Sequence, residues 1–459
     1  MLHTGSAKLG GHSGFFNPAI SQQGNTIVSD DTTIDFQELE GETELVSIED
    51  YGDNLIEWAV ERQVSDIFIS DDQLSVTVTV RRLGRVEMVR RLARGYGNRL
   101  QGYFRALAGT DTGDIIHPAE GRGSIGLPGG QTADFRLSSL PTLLGQDVAI
   151  RLFNSFWTNR GIDALGMDAD VVKLLKRLLN HSSGVILVSG PVASGKTSTL
   201  YSAINELNDG TRKIHTLEDP VEHVIAGVNQ SQINLKAGVD FSELLTTVLR
   251  HSPDVIMIGE IRDAPTAATA IRAGGSGQLV LATVHSDSAA EAIDTMRQYD
   301  INRTFLARTL VGVINQRLIR RLCPECRQEL SSAGVFVDSP HVINRLGDVP
   351  PKLYRAVGCD TCMHTGYDTL TCLTEVMVAD HDLEQAIVAD QPAGQLHEMA
   401  ITAGMVSLAE SAQARVLRGE TTAAEATRVL DDEQLNKLAT LARDAEAEER
   451  PAAGCSPYG

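Results

Sequence analysis

The chain has 459 residues, 42% of them apolar, with 60 Asp and Glu against 40 Lys and Arg. That length suggests about two to four domains of ordinary size, and no apolar run approaches the ~18 residues of a membrane helix. A net charge of −20 argues against nucleic acid as the main partner, because a phosphate backbone repels it.

Residues 1 to 47 read as an acidic, disordered leader or an acidic docking arm. Between Lys8 and Arg62 there are twelve Asp and Glu and no Lys or Arg. The start, "MLHTGSAKLGGHSGFF", has no charged end followed by an apolar core, so no secretory signal is expected and the chain should stay in the cytoplasm. Residues 48–157 read as a small α/β domain. "NLIEWAVERQ" has helical apolar spacing, whereas "SDIFIS" and "LSVTVTV" alternate as strands do. Seven arginines between Arg81 and Arg99, countered only by Glu87, form an ordinary basic face or a nucleic-acid patch. The link "NSFWTNRG" leads to a core over 158–322. A cysteine-bearing segment follows over 323–376, then an Ala-, Glu- and Leu-rich helical region over 377–459 with a polar tail.

The core carries "GPVASGKT", Gly190, Pro191, Val192, Ala193, Ser194, Gly195, Lys196 and Thr197, which fits G-x-x-x-x-G-K-[ST] in full. It follows the apolar run "GVILVS" and precedes the helical "TSTLYSAINEL", the context this motif requires. Backbone N–H groups of such a loop wrap phosphates, and the helix N-terminus adds positive potential. Lys196 would reach the β- and γ-phosphates of ATP, and Thr197 would ligate Mg²⁺.

Three more strands are expected. "KIHTL" ends at Glu218, Asp219 and Glu222, "VIMIG" ends at Glu260, and "LVLATV" ends at His285. In an open parallel sheet, ligands sit at the carboxyl ends of the strands. One rim would then hold a P-loop, an acidic cluster, a second acid and a histidine. One acid can hold Mg²⁺ or its water shell, and another can deprotonate the attacking water. Asp263 reads as the cap of the helix "APTAATAIRA".

"GPVASGKTSTLY", "LEDPVE", "RHSPDVIMIGEIRD" and "GQLVLATVHS" together resemble the Walker A, Asp, Walker B and His boxes of the type II secretion and type IV pilus-assembly ATPases. The likeness continues into "GVINQRLIRRLCPECR" and "AVGCDTC", and backwards into "SDIFIS" and "DFRLSSLPTLLGQDVAIRLF", over about residues 50–430. It implies a RecA-like P-loop ATPase core, a smaller α/β N-terminal domain, and a zinc-binding plus helical C-terminal region. It further implies a homohexamer whose domain closures move pilin subunits. The ring would contact an inner-membrane platform protein and lie in the cytoplasm, peripheral to the inner membrane. The resemblance makes Glu222 the general base and gives Glu260 a supporting role toward Mg²⁺ and water. It assigns Arg136 and Arg151 to phosphate contact from the small domain, and Arg250 and Arg262 to further basic positions in the core. Arg262 is expected to report nucleotide state rather than to act as counter-ion for Glu260.

The family usually has His, Arg and Asp where this chain has Gln278, Thr246 and Ser252, and "SDIFIS" lacks the His and Glu common in that strand. With Gln278 expected beside the Glu260 strand tip, these departures motivate a second reading: an ATP-binding ring scaffold or regulator with weak or no turnover. A third reading, a nucleic-acid translocase, rests on the arginine run alone.

Cys323 and Cys326 of "CPEC", with Cys359 and Cys362 of "CDTC", can close a tetrahedral thiolate site for Zn²⁺. A redox dithiol and merely buried thiols stay open. The quartet resembles the metal-binding subdomain of secretion and pilus-extension members. Cys372 and Cys455 read as ordinary thiols.

Overall fold

The computed structural model describes residues 47–153, 161–331, 335–430 and 432–449. The acidic leader through residue 46, all but the last residue of "NSFWTNRG", and Cys455 lie outside the described residues. The chain divides into two compact units, Met1–Phe153 and Asn154–Gly459.

In the first unit, six strands form one antiparallel sheet. They are β1 (Val64–Asp71), β2 (Ser75–Arg82), β3 (Arg85–Ala93), β4 (Ala119–Gly126), β5 (Thr132–Thr142) and β6 (Gly145–Phe153), in the order β3-β2-β1-β6-β5-β4. Alternation sorts the side chains by face. Ile67, Ile69, Val76, Val78, Val80, Leu137, Val148 and Ile150 are buried. They share a core with Leu55 and Ile56 of the helix Ile48–Glu61 and Leu100 and Phe104 of the helix Arg94–Leu107. The other face carries a cross-strand row, Arg122 opposite Arg136, Arg136 opposite Arg151, Arg151 opposite Asp66, and Asp66 opposite Arg81.

The second unit is built on a seven-stranded sheet in the order β15-β12-β7-β11-β10-β8-β9. Its members are β7 (Gly184–Ser189), β8 (Ile214–Glu218), β9 (Asn229–Gln232), β10 (Val255–Ile258), β11 (Leu279–Val284), β12 (Leu310–Leu322) and β15 (Tyr367–Val378). β9, β8, β10, β11, β7 and β12 run parallel, and β15 is antiparallel to β12. All six residues of β7 and all six of β11 are buried, as expected of strands covered on both faces. Val185 and Leu187 enter one core, and Ile186 and Val188 enter the other. The helix Lys196–Leu207 packs on the second face, and the helices Phe241–Val248, Ala264–Gly275 and Ala289–Gln298 pack on the first.

β12 leads directly to Cys323, and β15 returns to the same sheet from Tyr367. Between them lie the short pair β13 (Gln328–Leu330) and β14 (Leu353–Arg355) and the helix Pro340–Leu346. The cysteine-bearing excursion, expected over 323–376, thus rejoins the core sheet at Tyr367. The helices Leu408–Leu417, Ala423–Val429 and Glu433–Glu449 form a further core with Ile319, Leu330, Leu353 and Leu373. Buried Asp168 is ion-paired to Arg418, Arg345 and Arg415 at 2.8, 3.1 and 3.4 Å. A buried carboxylate persists only when so paired.

Candidate ATPase site

The parallel register brings the carboxyl ends of β7, β11, β10 and β8 to one rim of the sheet. After β7 the chain turns through Gly190, Ala193 and Gly195 with positive φ of 144°, 62° and 89°. A Cβ on Gly190 would stand 2.5 Å from the Gln316 carbonyl oxygen and 2.6 Å from Ser194 Oγ, so glycine is required there. Pro191 and Val192 are exposed, and Ser194 is buried with its hydroxyl unpartnered. Lys196 opens the helix Lys196–Leu207, and Thr197 follows it, exposed. Lys196 Nζ donates to the carbonyls of Gly190 at 2.8 Å and Pro191 at 2.9 Å. Burial lowers its pKa, opposed by the nearby Glu260 carboxylate. A cation held largely by loop carbonyls, a helix N-terminus and an orphaned hydroxyl fit an anionic phosphate chain.

β12 braces the loop from behind. Thr199 Oγ1 donates to Gln316 Oε1 at 2.9 Å, and Gln316 Nε2 donates to the Ser194 carbonyl at 2.8 Å. Its neighbour Asn315 donates to Ser189 Oγ at 2.8 Å. Arg317 reaches Asp287 at 3.1 Å.

The acidic ends of the strands meet in a continuous chain of charge. Arg262 lies 3.5 Å from Asp219 and 2.6 Å from Glu260. The other Glu260 oxygen lies 2.7 Å from His285 Nε2, and His285 Nδ1 lies 3.3 Å from Lys196 Nζ. With its proton on Nε2, His285 donates to Glu260 and accepts from Lys196. The rim of β8, β10, β11 and β7 is thereby joined from Asp219 to Lys196. Arg262 is a counter-ion of Glu260, which corrects the expectation that it would not act as one. The reason is proximity: neighbouring parallel strands end in two carboxylates, and a guanidinium between them meets both. Its own pKa is raised, first by the hydrogen bond to Glu260. Asp263 is the expected cap, accepting from Thr266 N at 2.8 Å.

Glu218 does not face this group. It is 3% exposed and accepts hydrogen bonds from Tyr201, Thr216 and, at 3.1 Å, Gln230. Glu222 is half-buried, and its backbone N–H donates to the Tyr201 hydroxyl at 3.1 Å. Arg250 is exposed in the turn Leu249–His251 and takes no part in the charged chain. Thr246 is exposed on the helix Phe241–Val248 and donates to the Ser242 carbonyl at 2.9 Å. Ser252 has a φ of 51°.

Gln278 is not beside the Glu260 strand tip. It precedes the first residue of β11, where its carbonyl accepts from Gly184 N at 3.1 Å. Glu260 and His285 follow the far ends of their strands. Six strand residues separate the two rims by about 20 Å. The residue adjoins an apolar strand in sequence, but at its entry rather than its exit.

In the first unit, Arg136 and Arg151 stand directly opposite each other on β5 and β6. Arg136 is paired with Glu120 at 2.7 Å, and Arg151 with Asp66 at 2.9 Å.

A second cluster lies between the loops that follow β12 and β14. The sulfurs of Cys323, Cys326, Cys359 and Cys362 all lie within 4.8 Å of one another. Cys323–Cys359, Cys326–Cys362 and Cys359–Cys362 are each 3.8 Å apart. Four sulfurs at ~2.3 Å from a tetrahedral Zn²⁺ stand about 3.8 Å from each other, so the cluster fits that ion. Gly358 N and Gly366 N donate to Cys326 and Cys362 at 3.3 and 3.2 Å. Burial pushes the Cys323 thiol up to about 12, while the Cys362 N–H donated to the Cys359 sulfur brings that thiol down to about 7. Cys372 is buried within β15, apart from the cluster.

A family model described as Type II/IV secretion system protein matches residues 41–428. The chain belongs to this family. It is a P-loop ATPase with a RecA-like core and a smaller α/β N-terminal domain. It is 33% identical over 371 residues to the Type II secretion system ATPase E of Vibrio cholerae, with 81% of this chain and 73% of that protein covered. It is 34% identical over 376 residues to the Type IV pilus assembly ATPase PilB of Thermus thermophilus, with 81% of this chain covered. It spans only 42% of the length of PilB. Among solved structures, the Legionella pneumophila ATPase DotB matches with a TM-score of 0.62 at 17% identity, covering 82% of this chain and 94% of DotB. The pilus retraction motor PilT with bound ADP matches with a TM-score of 0.57 at 22% identity, covering 83% of this chain and 97% of PilT. These two likenesses concern the fold.

Sequence reasoning missed Gln316, Asn315 and Arg317. The signal was three polar residues in a row within the apolar strand "LVGVINQRLIRRL". It also missed Tyr201, hidden as one more large residue on the buried side of a helix.

Proposed function

We propose that this family member is an ATP-hydrolysing motor, working as a homohexameric ring, that drives pilin-like subunit assembly for type II secretion or type IV pilus extension. The observation that carries the reading is the charged chain from Asp219 through Arg262, Glu260 and His285 to Lys196 at the P-loop rim. The secretion and pilus relatives support the machine class.

In this reading the loop N–H groups and Lys196 bind the phosphates, Lys196 exchanging the carbonyls of Gly190 and Pro191 for phosphate oxygens. Thr197 and Glu260 would hold Mg²⁺, which when bound neutralises charge on the phosphates. Glu222 takes a proton from water as its oxygen bonds to the γ-phosphorus. The bond from that phosphorus to the β–γ bridging oxygen breaks, and ADP and phosphate leave. Arg136 and Arg151 are the proposed further phosphate-contacting arginines, with Glu218, Asp219, Arg250, Arg262 and His285 in support. Cys323, Cys326, Cys359 and Cys362 would hold a structural Zn²⁺ that stands in for the hydrophobic core their small segment lacks.

The proposed partners are further copies of this chain and an inner-membrane platform protein. Among the described residues no helix is long and apolar enough to cross a membrane. A cytoplasmic position at the membrane through partners follows from this reading. The test is ATP hydrolysis by the purified full chain and its Glu222→Gln variant. Turnover in the parent that falls by at least about 100-fold in the variant is expected. An inactive parent, or an equally active variant, overturns the reading.

A further inference from the structure

Tyr201 is fully buried in the helix Lys196–Leu207, five residues after Lys196. Its hydroxyl has one proton and gives it to the Glu218 carboxylate. The same oxygen then accepts the backbone N–H of Glu222 at 3.1 Å. One phenol oxygen therefore touches both the end of β8 and the turn that carries Glu222. Its ring lies against the His223 ring, with centroids 4.5 Å apart.

The rest of that turn is held by Gln230 on β9. Gln230 Nε2 donates to the His223 carbonyl at 3.0 Å and to Glu218 at 3.1 Å. Its Oε1 accepts from Ile225 N at 2.7 Å. Thr216 gives Glu218 a third donor. Glu218 is thus the buried post to which the turn is tied. A carboxylate 3% exposed needs such donors to remain in place.

Lys196 and Tyr201 belong to one helix, about 7.5 Å apart along its axis. One helix therefore carries both the phosphate-binding N-terminus and the Tyr201 hydroxyl. We propose that Tyr201 is a positioning residue for ATP hydrolysis, its hydroxyl fixing where the Glu222 turn stands relative to the phosphate-binding helix. The inference rests on Glu222 acting as the base. Placement of a base to within a fraction of an ångström governs turnover far more than it governs nucleotide affinity.

The test uses the full chain and three variants, with steady-state ATP hydrolysis and thermal unfolding measured for each. Tyr201→Phe keeps the ring and its packing on His223, and removes the oxygen. Thr216→Val takes one donor from the same carboxylate without touching the Glu222 backbone. Tyr201→Phe should lower kcat by about tenfold or more, with the KM for ATP within about twofold of the parent. Thr216→Val should lower the thermal midpoint at least as far while keeping kcat within about twofold. An unchanged kcat in folded Tyr201→Phe, or an equal fall in both variants, overturns the positioning role. Glu222→Gln is the separate arm. Turnover retained there overturns the base assignment itself, whatever Tyr201→Phe does.

Discussion

His285 Nε2 lies 2.7 Å from Glu260 Oε1, and the other ring nitrogen lies 3.3 Å from Lys196 Nζ. The imidazole therefore spans the gap between the carboxylate after β10 and the cation that opens the P-loop helix. Removing the carboxylate's charge and removing the bridge should have different consequences. Glu260→Gln is expected to reduce kcat on the order of 100-fold while nucleotide still binds. His285→Ala leaves both partners in place, and is expected to cost about tenfold, the scale of one ordinary hydrogen bond. Steady-state hydrolysis with a fluorescent-nucleotide titration separates the two. Equal losses would show that the bridge is as important as the acid.

Gln316 joins Ser194 to Thr199 from the neighbouring strand. Gln316→Ala leaves a loop carbonyl and a buried hydroxyl without partners. The expected loss is about 1–3 kcal/mol of unfolding free energy, read by urea denaturation, with a raised KM for ATP because the loop is no longer held. A stable variant with unaltered KM would remove Gln316 from the phosphate site.

Gln278 sits at the opposite rim from the P-loop. Gln278→His, which restores the residue the family usually carries, should change kcat by less than about twofold in assays of the full chain, since no reacting atom is near. A large gain in turnover would mean that the entry rim of β11 controls the motor.

The cysteine cluster should hold one zinc per chain. Cys326→Ser, or a strong chelator, should abolish zinc content by elemental analysis and lower the thermal midpoint, because the bound ion contributes folding free energy. Full stability with no metal bound would favour plain thiols.

Glu425 supplies a pH dependence of stability. It accepts from Arg428 at 2.7 and 2.8 Å, from Arg320 N at 3.1 Å, and from the Arg320 guanidinium. Burial opposes its ionisation, but the bonds from Arg428 and Arg320 outweigh it and bring the carboxyl to about 2. An unfolded Glu titrates near ~4.3. A folded value below the unfolded one gives stability that is present above about pH 5 and lost as pH falls toward the folded value. At neutral pH the contribution is roughly 3 kcal/mol. The gap in urea midpoint between the parent and Glu425→Gln should therefore narrow from pH 5 downward. A gap that stays constant to pH 3 would refute it.

Some of this was legible in the residues alone. "GPVASGKT" between an apolar run and a helix defines its own backbone, because glycine, lysine and threonine act within eight consecutive positions. Apolar strands running into Asp219, Glu260 and His285 identified the rim, given that parallel strands expose their carboxyl ends together. Alternation in "LSVTVTV" gave the buried face of the first sheet. The two Cys-x-x-Cys pairs marked the four-sulfur cluster, since each pair closes on a single turn.

Tertiary structure decided the rest, and the reason is distance along the chain. Thr199 and Gln316 are 117 residues apart in sequence, and they meet only because β12 lies beside β7. Arg262 became the counter-ion of Glu260 because β8 and β10 are adjacent and end together. Gln278 was removed from the site because β11 begins just after it, a matter of strand direction that an apolar run does not reveal. Tyr201 reads in sequence as core, and only the return of the chain after β8 turns its hydroxyl into the tie between Glu218 and Glu222. Local chemistry is written in contiguous residues, whereas the bracing of that chemistry depends on the order and direction in which the sheet assembles.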